Sequence, residues 1–122
     1  MHPDRAALGQ NAEDIAAEFL QRQGFELVGR NYRRRSGELD VIARKGDVLV
    51  IVEVRTRSSD SFGGAAASID GWKQHKIVRA ATQLLQQRPD LAKLRARFDV
   101  IIVHDVGSTQ PRVEWLQHAF SA

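Results

Sequence analysis

The sequence predicts an α/β domain: a central mixed five-stranded sheet flanked by helices, in the order helix, three strands, helix, two strands. Three observations predict it. Apolar residues recur at helical spacing in two separate segments, about 4–23 and 69–87. Short apolar runs lie between and after them, at 38–44, 48–56 and 98–103. Lys45-Gly46-Asp47 separates two of those runs with a Gly-Asp pair, a two-residue hairpin signal.

The first helix carries Leu8, Ala12, Ile15, Ala16, Phe19 and Leu20 on one stripe and stops at Gly24. Glu13 falls at the margin of that stripe, beside Gly9, Ala16, Ala17 and Leu20, so it points along a packing interface. Phe25-Glu26-Leu27-Val28 alternates and predicts a strand to about Tyr32. Arg33-Arg34-Arg35-Ser36-Gly37 breaks the pattern and reads as a basic loop. Strands over 38–44 and 48–56 follow. The second of these is apolar on both faces near its start, which marks a central strand covered on both sides. Its charges, Glu53 and Arg55, come only at the far end.

Residues 57–68 are small and polar with two glycines and read as a flexible loop leaving that charged end. The second helix is expected to bury Ile69, Trp72, Ile77, Ala80, Ala81, Leu84 and Leu85, with Lys73 inside the stripe and His75, Lys76 and Arg79 outside it. A lysine so placed either snorkels out or reaches an anion; Glu53 on the sheet below is the anion at hand. Arg88-Pro89-Asp90 ends the helix, and a short turn follows. Phe98–Val103 and Val113–Phe120 complete the sheet, joined by a Gly- and Pro-containing turn.

Carboxylates at the end of an apolar strand need a partner, because burying an unpaired charge costs roughly several kcal/mol or shifts its pKa. Counting back from a Gly46-Asp47 loop, Lys45 pairs with Val48, Asp40 lies opposite Glu53, and Glu38 lies opposite Arg55. Slipping to a Lys45-Gly46 loop puts Asp40 opposite Ile51 but keeps both acids on one face. Like charges so placed are destabilising unless a cation sits between them. One Asp and one Glu on adjacent strands, with a cation two residues after the Glu, suit phosphodiester hydrolysis. Mg²⁺ binds few protein carboxylates and takes the rest of its shell from water and phosphate. Asp40 and Glu53 are the candidate ligands of Mg²⁺ or Mn²⁺, with Glu13 as a third through water. Arg55 is the candidate catalytic cation, and Lys73 a second.

Length and composition bound the alternatives. The 122 residues suit one domain, and a 43% hydrophobic fraction can supply its core. No cysteine is present, which excludes disulfides and thiolate metal sites. His2, His75, His104 and His118 lack zinc-ligand spacing, and no phosphate-binding glycine loop or nucleophile elbow occurs. No apolar run is long enough to span a bilayer, so no membrane partner is expected. The N-terminus lacks a signal-peptide pattern, and the expected compartment is the cytoplasm. Net charge is +3 and the pI about 9.8. Arg30, Arg33, Arg34 and Arg35 form the densest basic cluster; with Arg57 they are the candidate contacts to a nucleic-acid backbone.

Several blocks resemble the PD-(D/E)xK, or restriction-endonuclease-like, nuclease superfamily, and within it the small YraN-like bacterial family. They are Gly9 with Ala12-Glu13 and Ala16, Arg30-Asn31-Tyr32-Arg33, Gly37–Ala43, Val52–Arg57, Phe62-Gly63, Lys73, Arg97-Phe98-Asp99 and Ala119-Phe120. The resemblance implies a restriction-endonuclease-like core over nearly the whole chain. It is also similar to archaeal Holliday-junction resolvases, which would place the roles of helix Glu, strand Asp and E-x-K pair on Glu13, Asp40, Glu53 and Arg55. The superfamily usually has Lys where this chain has Arg55. Arginine keeps the charge but stays protonated and cannot serve as a base.

Two functions therefore stay open. One is a metal-dependent endonuclease hydrolysing DNA phosphodiester bonds, on branched or damaged DNA, for which the resemblance leaves a homodimer open. The other is a catalytically weakened nucleic-acid-binding module or adaptor in DNA processing.

Overall fold

A computed structural model describes residues 5–57 and 69–122. The segment expected as a flexible loop, about 57–68, lies outside the described residues except for Arg57. Helix α1 spans Arg5–Arg22 and is followed by three strands, β1 (Glu26–Arg34), β2 (Gly37–Lys45) and β3 (Val48–Arg57). Then come α2 (Gly71–Gln87), a single turn α3 (Pro89–Ala92), β4 (Arg95–His104) and β5 (Arg112–Phe120). Apart from α3, the order is the one the sequence predicts. Proline at the start of α3 explains the extra turn, since its fixed φ suits a first helical position.

The five strands form one sheet in the order β1-β2-β3-β4-β5. Neighbours are antiparallel except β3 and β4, which run parallel. A parallel pair cannot be joined by a tight turn, and α2 with α3 lies in the crossover between them. The alternation in β3 separates two apolar layers. Val50 and Val52 pack with Ala12, Ala16 and Leu20 of α1. Leu49 and Ile51 pack with Ile77, Ala80 and Leu84 of α2. The sheet is thus covered on both faces, as the two-sided apolar start of β3 requires.

Helix α1 ends where glycine lets it. Gly24 has φ +92°, its N–H donates to the Gln21 carbonyl at 3.0 Å, and the Phe25 N–H donates to the Leu20 carbonyl at 3.0 Å. This pair of bonds closes the last turn and sends the chain back along the sheet. Helix α2 starts at Asp70, whose carboxylate accepts the Lys73 N–H at 2.8 Å.

Two sequence expectations need correction. The arginine stretch is not a loop: Arg33 and Arg34 belong to β1, Arg34 pairs with Gly37, and only Arg35 and Ser36 lie between the strands. An edge strand can carry consecutive arginines because its side chains reach water, so composition hides the pairing. Trp72 is not in the buried stripe; it is 69% exposed. At about 100° per residue it lies some 140° round the helix from Ile77. Lys73, four residues before Ile77, is not buried in the stripe either; its side chain is 47% exposed and only its ammonium reaches down to Glu53.

Candidate active site

The β2–β3 hairpin turns through Gly46, at φ +60°, and Asp47. Its partners run from Lys45–Val48 to Val41–Val52. This is the Gly46-Asp47 register. The next step would set Asp40 against Glu53, and there the ladder gives way to side-chain chemistry. Asp40 Oδ2 accepts the Val54 N–H at 2.9 Å, so one carboxylate oxygen replaces a backbone carbonyl. The Glu38–Arg55 pairing does not form. Glu38 Oε1 instead meets Arg33 Nε of β1 at 3.2 Å.

Glu53 is buried on the α2 face of the sheet, and Lys73 Nζ lies 2.5 Å from its Oε1. Asp40 and Glu53 line a small cavity of about 90 Å³ with Gly37, Glu38, Lys73, Lys76 and Ile77. The cavity is small because α2 crosses close above it. A Cβ on Gly37 would lie 2.6 Å from the Lys76 carbonyl oxygen, so only glycine fits at the start of β2. The Asp40 pKa is pushed up to about 8. Burial contributes most, followed by the Glu53 charge; a hydrogen bond shared with Glu53 and the Glu13 charge add to it, against the Val54 N–H. The acid pair thus resolves its repulsion by keeping a proton on Asp40 and an ammonium on Glu53.

Glu13 approaches from α1 and is largely buried, 3.7 Å from Arg30 Nη2; Arg30 Nη1 also holds Asp14 at 2.7 Å. It raises the Asp40 pKa without joining the acid pair. Among the described residues, no group of three or more His, Asp or Glu side chains is gathered tightly enough to hold a metal ion alone. Asp40 and Glu53 face one cavity, and two carboxylates are a donor set that an ion such as Mg²⁺ accepts when water and phosphate complete its shell. This set does not fit a closed zinc site. Arg55 lies two residues beyond Glu53 on the same face. Its Nε is buried and has no hydrogen-bond partner among the described residues. A buried donor without an acceptor costs about 1–3 kcal/mol, and an anion bound here would relieve that cost.

The basic cluster divides. Arg30 is tied to acids of α1, and Arg33 to Glu38. Arg34 covers the Tyr32 ring at 4.2 Å and donates to Gln87 Oε1 at 3.1 Å. Arg35 is exposed in the turn, and Arg57 closes β3 at the same end of the sheet. A larger cavity of about 530 Å³ runs along β1, lined in part by Arg30, Tyr32, Arg33, Arg34 and Arg88. It lies apart from the acid pair, and none of the lining residues of the small cavity borders it.

One buried acid received no role in the sequence reading. Asp99 is fully buried on the α1 face. It takes Arg97 Nε and Nη2 at 2.9 Å each, Trp115 Nε1 at 2.9 Å and the His118 N–H at 3.1 Å. His118, at φ +53°, sits in the bulge where β5 shifts register against β4. All of these donors point at one carboxylate, so Asp99 is a structural anchor for β5. The Arg97-x-Asp99 spacing on one strand face is the signal that could have found it.

The model of the uncharacterised protein family UPF0102 matches residues 12–103, which include Glu13, Asp40, Glu53, Arg55, Lys73 and Asp99. The chain belongs to this family. It is similar to UPF0102 proteins from Dechloromonas aromatica (47% identical, over 95% of this chain and 90% of the relative) and Aeromonas hydrophila (46%, over 98% and 89%). A UPF0102 protein of Pseudomonas aeruginosa is 43% identical over 93% of this chain and 92% of its own. These UPF0102 relatives are matched almost end to end, so the similarity extends over nearly the whole fold. No described helix is long and apolar enough to cross a membrane.

Proposed function

We propose that this UPF0102 chain is a Mg²⁺- or Mn²⁺-dependent endonuclease that hydrolyses DNA phosphodiester bonds, within the PD-(D/E)xK superfamily its sequence blocks resemble. One observation carries the reading. Two carboxylates on adjacent strands are forced together at the end of a central strand, with a raised pKa on one and a lysine ammonium on the other. Such a pair is costly to hold and is relieved by a divalent cation. Asp40 and Glu53 would hold the ion; Glu13 would act on it through water. When bound, the ion would acidify water and shield phosphate charge.

The chain's own residues supply the rest. Asp40 has to give up its proton for the ion to bind. Lys73 has to leave Glu53, and its free ammonium then stands beside the same cavity, where it can hold a phosphate oxygen. Arg55 keeps a fixed positive charge two residues from Glu53 and stabilises negative charge that develops in the transition state. Since arginine holds its proton, Lys73 is the side chain that can move one. Exposed Arg35 and half-buried Arg57, at the same sheet end, suit the flanking backbone. One chain holds one acid pair, so a cut through both strands calls for two chains, as in a homodimer. The proposed setting is the cytoplasm, where DNA and free Mg²⁺ occur together.

The test is cleavage of linear, flapped and four-way DNA with Mn²⁺ by wild type, Glu53→Ala and Arg55→Lys. The reading expects cutting by wild type that is lost in Glu53→Ala. Cutting by Arg55→Lys alone would overturn it in favour of the second function, a weakened site that binds nucleic acid without cutting. The Nε of Arg55, unpartnered among the described residues, is the observation that favours this second reading, since it is a buried donor that a lysine at this position would not have.

A further inference from the structure

Isolated apolar residues on a protein surface are ordinary. Trp72 is set apart by its surroundings. It is the one large hydrophobic residue exposed among the described residues, at 69%. It sits in the first turn of α2, next to Lys73. Its ring stacks on His75 with centroids 6.2 Å apart and an interplanar angle of 24°, and Lys76 Nζ lies 5.3 Å from the ring centroid. Trp72, His75, Lys76 and Arg79 follow one another at helical spacing, so they form a single outward stripe. Helix α2 contains no acidic residue. Lys73 and Lys76 also line the cavity that holds Asp40 and Glu53. A largely exposed aromatic ring with one lysine over it, on a helix face that carries further basic residues, thus lies within one turn of the lysines that line the acid-pair cavity.

We infer that Trp72 is a stacking platform for an unpaired nucleobase, with Lys76 and Arg79 holding the phosphates on either side. The chemistry of the stripe selects the ligand. Its charge calls for a polyanion, and its ring calls for a polyanion with exposed π faces. In duplex DNA the faces of the bases are already stacked on one another, whereas an unpaired base offers its face to an aromatic side chain. The substrate class is therefore nucleic acid with an unpaired strand beside the scissile bond: a flap, a gap or a branch. The inference rests on the nuclease reading for the word substrate, but the binding it describes needs neither metal nor cleavage.

The experiment measures binding of the full chain in EDTA to three labelled ligands: a single strand, the same strand made duplex, and an abasic strand of equal charge. Wild type is expected to prefer the single strand. Trp72→Ala should weaken single-strand binding about ten-fold, the size of one lost base–aromatic stack, and leave the abasic strand unaffected. Trp72→Phe should retain most of the affinity but lose the tryptophan quenching that the single strand causes, because the other tryptophan, Trp115, is half-buried on the α1 side of the sheet, away from α2. Equal losses for the base-bearing and abasic strands in Trp72→Ala would overturn the inference, as would no loss for either. Binding through Trp72 without cutting in Mn²⁺ keeps this inference and removes the hydrolase. Cutting by a protein whose strand affinity ignores Trp72 does the reverse.

Discussion

At the scale of single residues, Asp40 is the most informative side chain because its charge is set by its neighbours. In the unfolded chain it titrates near 3.8, and in the folded protein near 8. Between those values the folded state holds a proton that the unfolded chain has released, so rising pH favours unfolding. The stability of the metal-free protein should therefore fall from pH 4 to pH 8 through this residue. Asp40→Asn keeps an acceptor for the Val54 N–H but removes the titration. The variant should show a flatter pH dependence in urea unfolding and exceed wild type in stability above pH 8. Equal slopes for the two proteins would remove Asp40 as the cause. Much of this site was legible in the sequence. The Gly46-Asp47 turn sets the register, and the register brings Asp40 to Glu53. The 73-77 spacing sets Lys73 on the side of α2 from which its ammonium reaches Glu53. The bond from the Val54 N–H was not legible, because it replaces a ladder bond that pattern alone would continue.

At the scale of elements, the site depends on how closely α2 crosses the mouth of the β2–β3 hairpin. Gly37 permits that approach, and Gly37→Ala would drive a methyl group against the Lys76 carbonyl. The expected cost is about 1–3 kcal/mol in urea unfolding, with α2 displaced and Lys73 drawn off Glu53. A second element-level prediction concerns β5. Asp99→Ala leaves the mostly buried Arg97 without its partner and frees the bulge at His118. Removing one side of a buried ion pair costs about 3–5 kcal/mol, and amide hydrogen exchange should rise first along β5. The sequence showed β5 as a strand but not its anchor. Trp115 and His118 are distant from Asp99 along the chain, and only the β4–β5 register brings them to it. Trp72 was misread for a related reason: hydrophobicity placed it in the stripe, while the angle round the helix from Ile77 leaves the indole outside.

At the scale of the whole molecule, the β2–β3 ladder stops at Val41–Val52 while the parallel β3–β4 seam runs on to Arg57–His104, so Glu53 and Arg55 lie on a stretch of β3 that is laddered to β4 but no longer to β2. Asp40 and Glu53 are the buried meeting point of β2 and β3, and binding there is coupled to global folding. A ligand that binds the native state alone stabilises by about 2.7 kcal/mol at a hundred times its Kd. In a chain of this length each kcal/mol moves Tm by roughly 3–5 °C. Saturating Mn²⁺ should therefore raise Tm by about 10 °C. The gain should be larger at pH 8.5 than at pH 6, since at the lower pH the ion must first displace the Asp40 proton. Glu53→Ala should lose the gain, whereas Arg35→Ala, exposed in the β1–β2 turn, should keep it. The experiment separates metal binding from DNA binding and from cutting. A protein that Mn²⁺ does not stabilise, at either pH, has an acid pair held together by Lys73 and a shared proton alone, and its site is then a relic of the fold rather than a metal centre.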